Sequence, residues 1–155
     1  MTLTTLAWLC MAAYALHIME EFMLNWRDWA RNVLKIPVEW PDFYVTNGIV
    51  IALGIAMGSV AAALPIIPLA FAALMLINAV FFHIGPVLIT RKFSPGTISA
   101  ALLFLPLGAA MFRHALASGV ADAGTVIGAF VIAALTMAWP IFLIKMRSRH
   151  MFLQT

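Results

Sequence analysis

Five apolar runs, each about 20 residues long and nearly free of charge, dominate this 155-residue chain. They cover residues 3–24, 45–64, 69–89, 97–117 and 125–144. A helix of that length crosses the hydrocarbon core of a bilayer, about 30 Å thick. Lipid tolerates little else, because each backbone N–H and C=O must find its partner inside the segment. The expected fold class is therefore all-α: a polytopic membrane protein, one transmembrane domain over residues 1–155 with five transmembrane helices. Composition agrees, since hydrophobic residues make up 65% and charged residues 10%, against roughly 45–50% and 25% in soluble domains. This excludes an ordinary soluble globule, a disordered chain and a coiled coil. The net charge of +3 bears on orientation and calls for no nucleic-acid partner. The lone Cys10 leaves no intrachain disulfide to form and does not report the redox compartment.

Turn residues punctuate the runs. Pro65 and Pro68 mark a short connection between the second and third, and Ser94-Pro95-Gly96-Thr97 marks a turn, with Thr97 placed to cap the fourth helix. No Lys or Arg precedes the first run, and no cleavage site follows it, so it reads as a retained span. Arg27, Arg31 and Lys35 fall in the first loop, Arg91 and Lys92 in the third, and Lys145, Arg147 and Arg149 in the tail. With five spans these segments share one side, and basic loops face the cytoplasm. The expected topology places the N-terminus outside and the C-terminus in the cytoplasm, with Arg113 snorkelling at the far surface.

Between the first two spans, residues 26–36 carry Trp26, Trp29, Ala30, Val33 and Leu34 at helical spacing, with Arg27, Asp28, Arg31 and Lys35 on other faces. This pattern predicts an interfacial amphipathic helix, either an anchor at headgroup depth or a lid over a site opening to the inner leaflet. Gly54/Gly58 and Gly124/Gly128 form small-xxx-small faces, through which helices approach closely within the chain or in a homodimer.

The chemistry concentrates in a few polar residues. His17, Glu20 and Glu21 stand at i, i+3 and i+4, so their side chains fall within about 100° on a helix of 3.6 residues per turn. Ionisable groups in hydrocarbon are costly and require pairing, water or a cation. On the third span, Asn78 sits mid-membrane and His83 in the inner half, at a depth matching His17. Two histidines with one or two carboxylates match a zinc, iron or manganese site that keeps an open position. The expected ligands are His17, Glu20, Glu21 and His83. Glu20, Glu21 and Asn78 are the candidate catalytic groups, and Asn47, Arg91 and Trp26 the candidate groups for substrate or for orienting ligands. The competing reading is an interhelical hydrogen-bond network with a structural role alone.

His17-Ile18-Met19-Glu20-Glu21, with the later His83 and the stretch Arg91 to Thr97 (RKFSPGT), resembles the HXXEE-domain proteins, small bacterial integral membrane proteins. The resemblance covers roughly the first hundred residues and implies an architecture and a bacterial inner (cytoplasmic) membrane, without naming a reaction. Glu20-Glu21-Phe22 is also similar to the acidic motifs of membrane-bound carotenoid cyclases and of intramembrane CAAX-type proteases, although Asn25 stands where the protease motif has Arg.

These readings converge on a membrane-embedded, metal-dependent enzyme acting on a lipophilic substrate, a lipid, acyl or isoprenoid-like molecule, from the cytoplasmic leaflet. Hydrolysis, oxidation and isomerisation all stay open. Two alternatives remain: a metal-free enzyme using the carboxylates as acid and base, and a non-enzymatic small transporter or cation-binding subunit.

Overall fold

A computed structural model describes residues 1–147 of the chain. It contains α1 (Leu3–Met23), α3 (Trp40–Val60), α4 (Ile66–Thr90), α5 (Thr97–Ala117) and α6 (Ala123–Arg147), all long and apolar enough to cross a membrane. A shorter helix, α2 (Trp26–Trp29), is continued by a π-turn over Ala30–Leu34. No strand occurs among the described residues, and the chain has the architecture of a multi-pass membrane protein. Arg149 and His150 of the basic tail lie outside the described residues.

Local chemistry sets the helix ends. The Thr2 side chain caps α1 by accepting from the Thr5 amide at 3.1 Å. α3 starts at Trp40, several residues before its apolar run, because Glu39 and Asp42 form a reciprocal capping box with Pro41 in the first turn. Asp122 begins α6 by accepting from the Thr125 amide at 2.8 Å and the Thr125 hydroxyl at 2.6 Å.

Hydrocarbon supplies no hydrophobic drive for helices to associate, so close packing and polar contacts must hold the bundle. α4 is the central rod: Leu69 through Met75 are all buried, and it packs against the other four spans. α3 closes onto α1 where it carries no side chains. A Cβ on Gly58 would come within 2.6–2.9 Å of the Trp8 ring, and one on Gly54 would run into Met11. The Gly54/Gly58 face is thus a contact within the chain, filled by Trp8 and Met11 of α1 and Phe71 of α4. Gly128 faces Ile66 of α4, and Gly124 meets only Asp122 of its own loop.

Successive spans alternate in direction, so the α1–α3 connection, the α4–α5 loop and the C-terminal end of α6 share one end of the bundle. Arg27, Arg31, Lys35, Arg91, Lys92 and Lys145 belong to that end and Arg113 to the other. α2 lies across the first end with Ala30 fully buried and Trp26 and Trp29 half-buried. Glu39 clamps it there: its carboxylate accepts from Arg27 Nη2 at 2.9 Å and Nε at 3.1 Å, and also pairs with Arg31. Desolvation works to raise the Glu39 pKa, and the two guanidiniums outweigh it, holding the carboxyl below its ordinary value of 4.5. The stabilisation is therefore complete above that value and is lost as pH falls through the lower, folded one. The Glu39→Gln variant is expected to melt at a lower temperature than wild type at pH 7, with the two melting curves, followed by tryptophan fluorescence, converging under acid.

Candidate metal centre

His17 and Glu21 lie one turn apart on the inward face of α1, and both are buried, at 1% and 6% exposure. The Nε2 atom of His17 stands 3.6 Å from Glu21 Oε1. His83, fully buried on α4, brings its own Nε2 to 3.4 Å from the same oxygen. The three ligand atoms all lie within 4.8 Å of one another. Ligands about 2.1 Å from a tetrahedral metal are separated by about 3.4 Å, close to the two separations from Glu21 Oε1.

A break in α4 delivers His83. Residues Asn78–Ile84 form a π-turn, which ends as the Gly85 amide bonds to the carbonyl of Val80, five residues back. Pro86 follows. A proline ring collides with the carbonyl four residues before it and has no N–H to offer, and the wider turn ahead of it relieves both problems. α5 repeats the device: Ala100–Phe104 is a π-turn, the Leu105 amide bonds to Ala100, and Pro106 follows. That second turn presents Phe104, whose ring packs 4.3 Å from the His17 ring. π-turns within α-helices are frequent at functional sites.

Hydrogen bonding fixes how the imidazoles face. His17 Nδ1 meets Ser99 Oγ at 2.8 Å. The Ser99 hydroxyl has two further neighbours, Glu20 Oε2 at 2.5 Å and the Gly96 carbonyl at 3.2 Å, and donates its one proton in that direction. Ser99 must then accept from His17, so Nδ1 carries the proton and Nε2 keeps its lone pair. His83 Nδ1 is held similarly by Ser94 Oγ at 3.2 Å. Both Nε2 atoms are buried and have no hydrogen-bond partner. Rings anchored through Nδ1 with Nε2 directed at a common point are what a metal-binding histidine pair requires.

Glu20 departs from the sequence expectation. It sits about 100° around α1 from Glu21, and its carboxylate turns away to accept from the amides of Gly96, Ile98 and Ser99 and from the Ser99 hydroxyl, at 2.5–3.1 Å. These are the unpaired donors at the start of α5, where the helix dipole favours an anion. Glu20 is therefore the clamp on the 94–99 turn and has no capacity left to join His17, Glu21 and His83. It also takes the capping role expected of Thr97, whose hydroxyl donates to the Ser94 carbonyl at 2.6 Å.

The other expected residues divide. Asn78 approaches His17, and its Oδ1 is buried without a hydrogen bond. Asn47 spends its amide elsewhere, accepting from Tyr14 at 2.7 Å and donating to the Phe43 carbonyl at 3.0 Å. Arg91 is exposed at the end of α4, away from the buried triad. Trp26 shares a cavity wall with Glu21, and its buried Nε1 has no partner.

Sequence reasoning missed Ser94, Ser99 and Gly96. Gly96 has φ +96°, and a Cβ there would fall 2.5 Å from His83 Cε1 and 2.8 Å from His17 Cε1. The backbone of the turn is thus the wall against which both rings rest. The signal lay in the Ser-Pro-Gly-Thr-x-Ser run, which reads as a turn until the partners of its hydroxyls are known.

The model of the HXXEE family, described as proteins of unknown function with an HXXEE motif, matches residues 8–111 of the 155. The chain belongs to the HXXEE family. The match spans the triad, both serines and Gly96. No curated protein and no solved structure matches the chain. In this HXXEE protein the motif has a division of labour: the histidine and second glutamate face the shared point, and the first glutamate ties down the turn that closes over it. The Ser99→Ala variant removes the acceptor of His17 Nδ1 without touching a ligand. It is expected to weaken divalent-metal affinity about 10- to 100-fold, the usual effect of losing such a partner, as measured by competition with a fluorescent chelator.

Proposed function

We propose that this HXXEE protein is a metal-dependent enzyme of the bacterial inner membrane, acting on a lipophilic substrate from the cytoplasmic leaflet. His17, His83 and Glu21 hold one divalent ion, zinc, iron or manganese, and leave coordination positions open. The observation that carries this reading is the pair of buried Nε2 atoms, each without a hydrogen bond, converging on one carboxylate oxygen. A structural network would satisfy such atoms, since an unsatisfied buried polar group is costly. With an ion bound, an open position supplies activated water or dioxygen. Asn78, beside His17, orients the group that arrives there.

Glu21 and Asn78 also line a cavity of about 130 Å³ whose other walls are mostly apolar. This supports a greasy substrate with one polar end. The engagement of Glu20 by four donors weighs against the alternative of two carboxylates sharing acid–base work. The basic residues gathered at the site end support the orientation with the N-terminus outside and the site near the cytoplasmic face. Elemental analysis of protein purified in detergent tests the reading. One equivalent of a transition metal per chain, lost in His17→Ala, is expected, and a content no higher than that of the variant would overturn it.

A further inference from the structure

The cavity beside Glu21 has a direction, and the direction decides how a molecule can lie in it. Its wall on α3 runs from Asp42 to Val50, and its wall on α6 from Ile144 back to Thr136. Each wall covers eight residues of helix, about 12 Å at 1.5 Å per residue. The two helices are antiparallel, so Asp42 and Ile144 mark the site end of the bundle and Val50 and Thr136 the deep end. The cavity therefore stands along the spans. Its length approaches the depth of one leaflet, about 15 Å, half of a hydrocarbon core about 30 Å thick.

The two ends differ. An outer groove between α3 and α6, about 430 Å³, shares Asp42, Thr46 and Pro140 with the cavity. Thr46 and Pro140 both lie four residues, about 6 Å, from the site end of their walls, and the rest of the groove lies nearer that end still. α6 packs mainly on α4 and touches α3 little, so this half opens sideways, toward lipid. The deep half is closed by Tyr14, Val50 and Leu74, all buried at 4–6% exposure. Its polar side chains are already engaged: Tyr14 donates to Asn47, Asn47 to the Phe43 carbonyl and Thr136 to the Ile132 carbonyl. A polar group pushed there would lose its water without recovering hydrogen bonds, whereas a methyl end loses nothing. At about 130 Å³ the cavity is close in size to one that holds a single benzene ring, about 150 Å³, so it admits one chain and not two. Glu21 stands two residues before the end of α1, and Asp42 two residues into α3, which places the carboxylate of the triad at the open end.

Resting on the metal-enzyme reading above, we infer that the cavity seats one hydrocarbon chain of a membrane amphiphile, tip first. The chain enters between α3 and α6 and lies along the spans. Its tip meets Tyr14, Val50 and Leu74, and its polar end stays beside Glu21. The reacting bond of the substrate then belongs to the polar end or the carbons next to it, and the rest of the chain supplies binding and position.

The probe is dodecyl maltoside, which surrounds the purified full chain at saturating concentration, doped with one of two photoreactive forms. One carries a diazirine at the chain tip and the other next to the sugar. The tip form should label Tyr14, Val50 and Leu74, which the detergent belt cannot reach from outside. The sugar-proximal form should leave those three unlabelled and mark residues 41–46 and 140–146 instead. Val50→Trp, which fills the deep end, should reduce tip labelling of Tyr14 and Leu74 about tenfold or more, with metal content unchanged. Absence of tip label at all three residues, or equal labelling of them by the two forms, would overturn the inference even if Val50→Trp cannot be purified. Metal is measured in the same samples. Tip label at the deep end of metal-free protein would fault the metal reading and uphold the chain seat, and metal-loaded protein without that label would do the reverse.

Discussion

Glu21→Leu is expected to stabilise the protein when metal is stripped and to destabilise it, relative to wild type, when metal is present. Glu21 is a carboxylate buried against two imidazoles, with 6% of its surface exposed. Without an ion, taking such a group out of water is poorly compensated. The Nε2 atoms beside it carry no proton and no charge, so an apolar side chain of similar volume removes the desolvation cost of the carboxylate without stranding a buried cation. The metal-free variant should therefore melt above metal-free wild type. With an ion the order reverses, because a ligand present at about 100 times its Kd contributes about 2.7 kcal/mol to the folded state. Loss of a direct ligand should weaken binding by more than the roughly 100-fold that its supporting partners are worth. Melting curves of both proteins with and without chelator check this. A chelator-independent loss of stability in the variant would mean that the triad is a structural network and nothing more.

Gly96→Ala should be the most damaging single-methyl change in the chain. The residue combines φ +96° with a backbone on which a Cβ would stand 2.5–2.9 Å from ring atoms of His83 and His17. Neither ring can back away without breaking its Nδ1 hydrogen bond to Ser94 or Ser99 of the same turn. Backbone strain costs about 1–3 kcal/mol, and overpacking about the same again, so a loss of about 3 kcal/mol or more is expected, together with metal binding. Gly119→Ala is the internal control. It has φ +69° and nothing within 4 Å of its Cβ position, so it suffers the left-handed penalty of about 1–2 kcal/mol alone. The difference between the two variants isolates the contact with the imidazoles. Equal melting temperatures for the two would show that the turn does not press on the rings.

Much of this molecule is legible in its sequence, for reasons specific to a lipid environment. The five spans stand out because hydrocarbon forbids unsatisfied backbone, so length and apolarity decide the matter. His17, Glu21 and His83 stand out because ionisable groups are expensive there and few in number. Their meeting could be anticipated from helical spacing and matching depth. What spacing could not show was which of two adjacent carboxylates would face the histidines. Glu20 and Glu21 differ by about 100° of rotation, and the choice depended on where the start of α5 lay, which is a tertiary fact. The π-turns were hidden for a related reason. Pro86 and Pro106 announce a break, but whether a helix kinks or widens at proline depends on its neighbours. The glycine pair at 54 and 58 marks a contact face, and only the packing of Trp8 and Met11 identifies the partner as α1.

X-ray absorption at the metal edge of the purified, metal-loaded protein tests the central claim most directly. The account predicts a first coordination shell of nitrogen and oxygen at about 2.0–2.2 Å, with multiple scattering from two imidazoles, falling to one in His83→Ala. A shell of oxygen atoms without imidazole scattering, or a spectrum unchanged by the substitution, would contradict it.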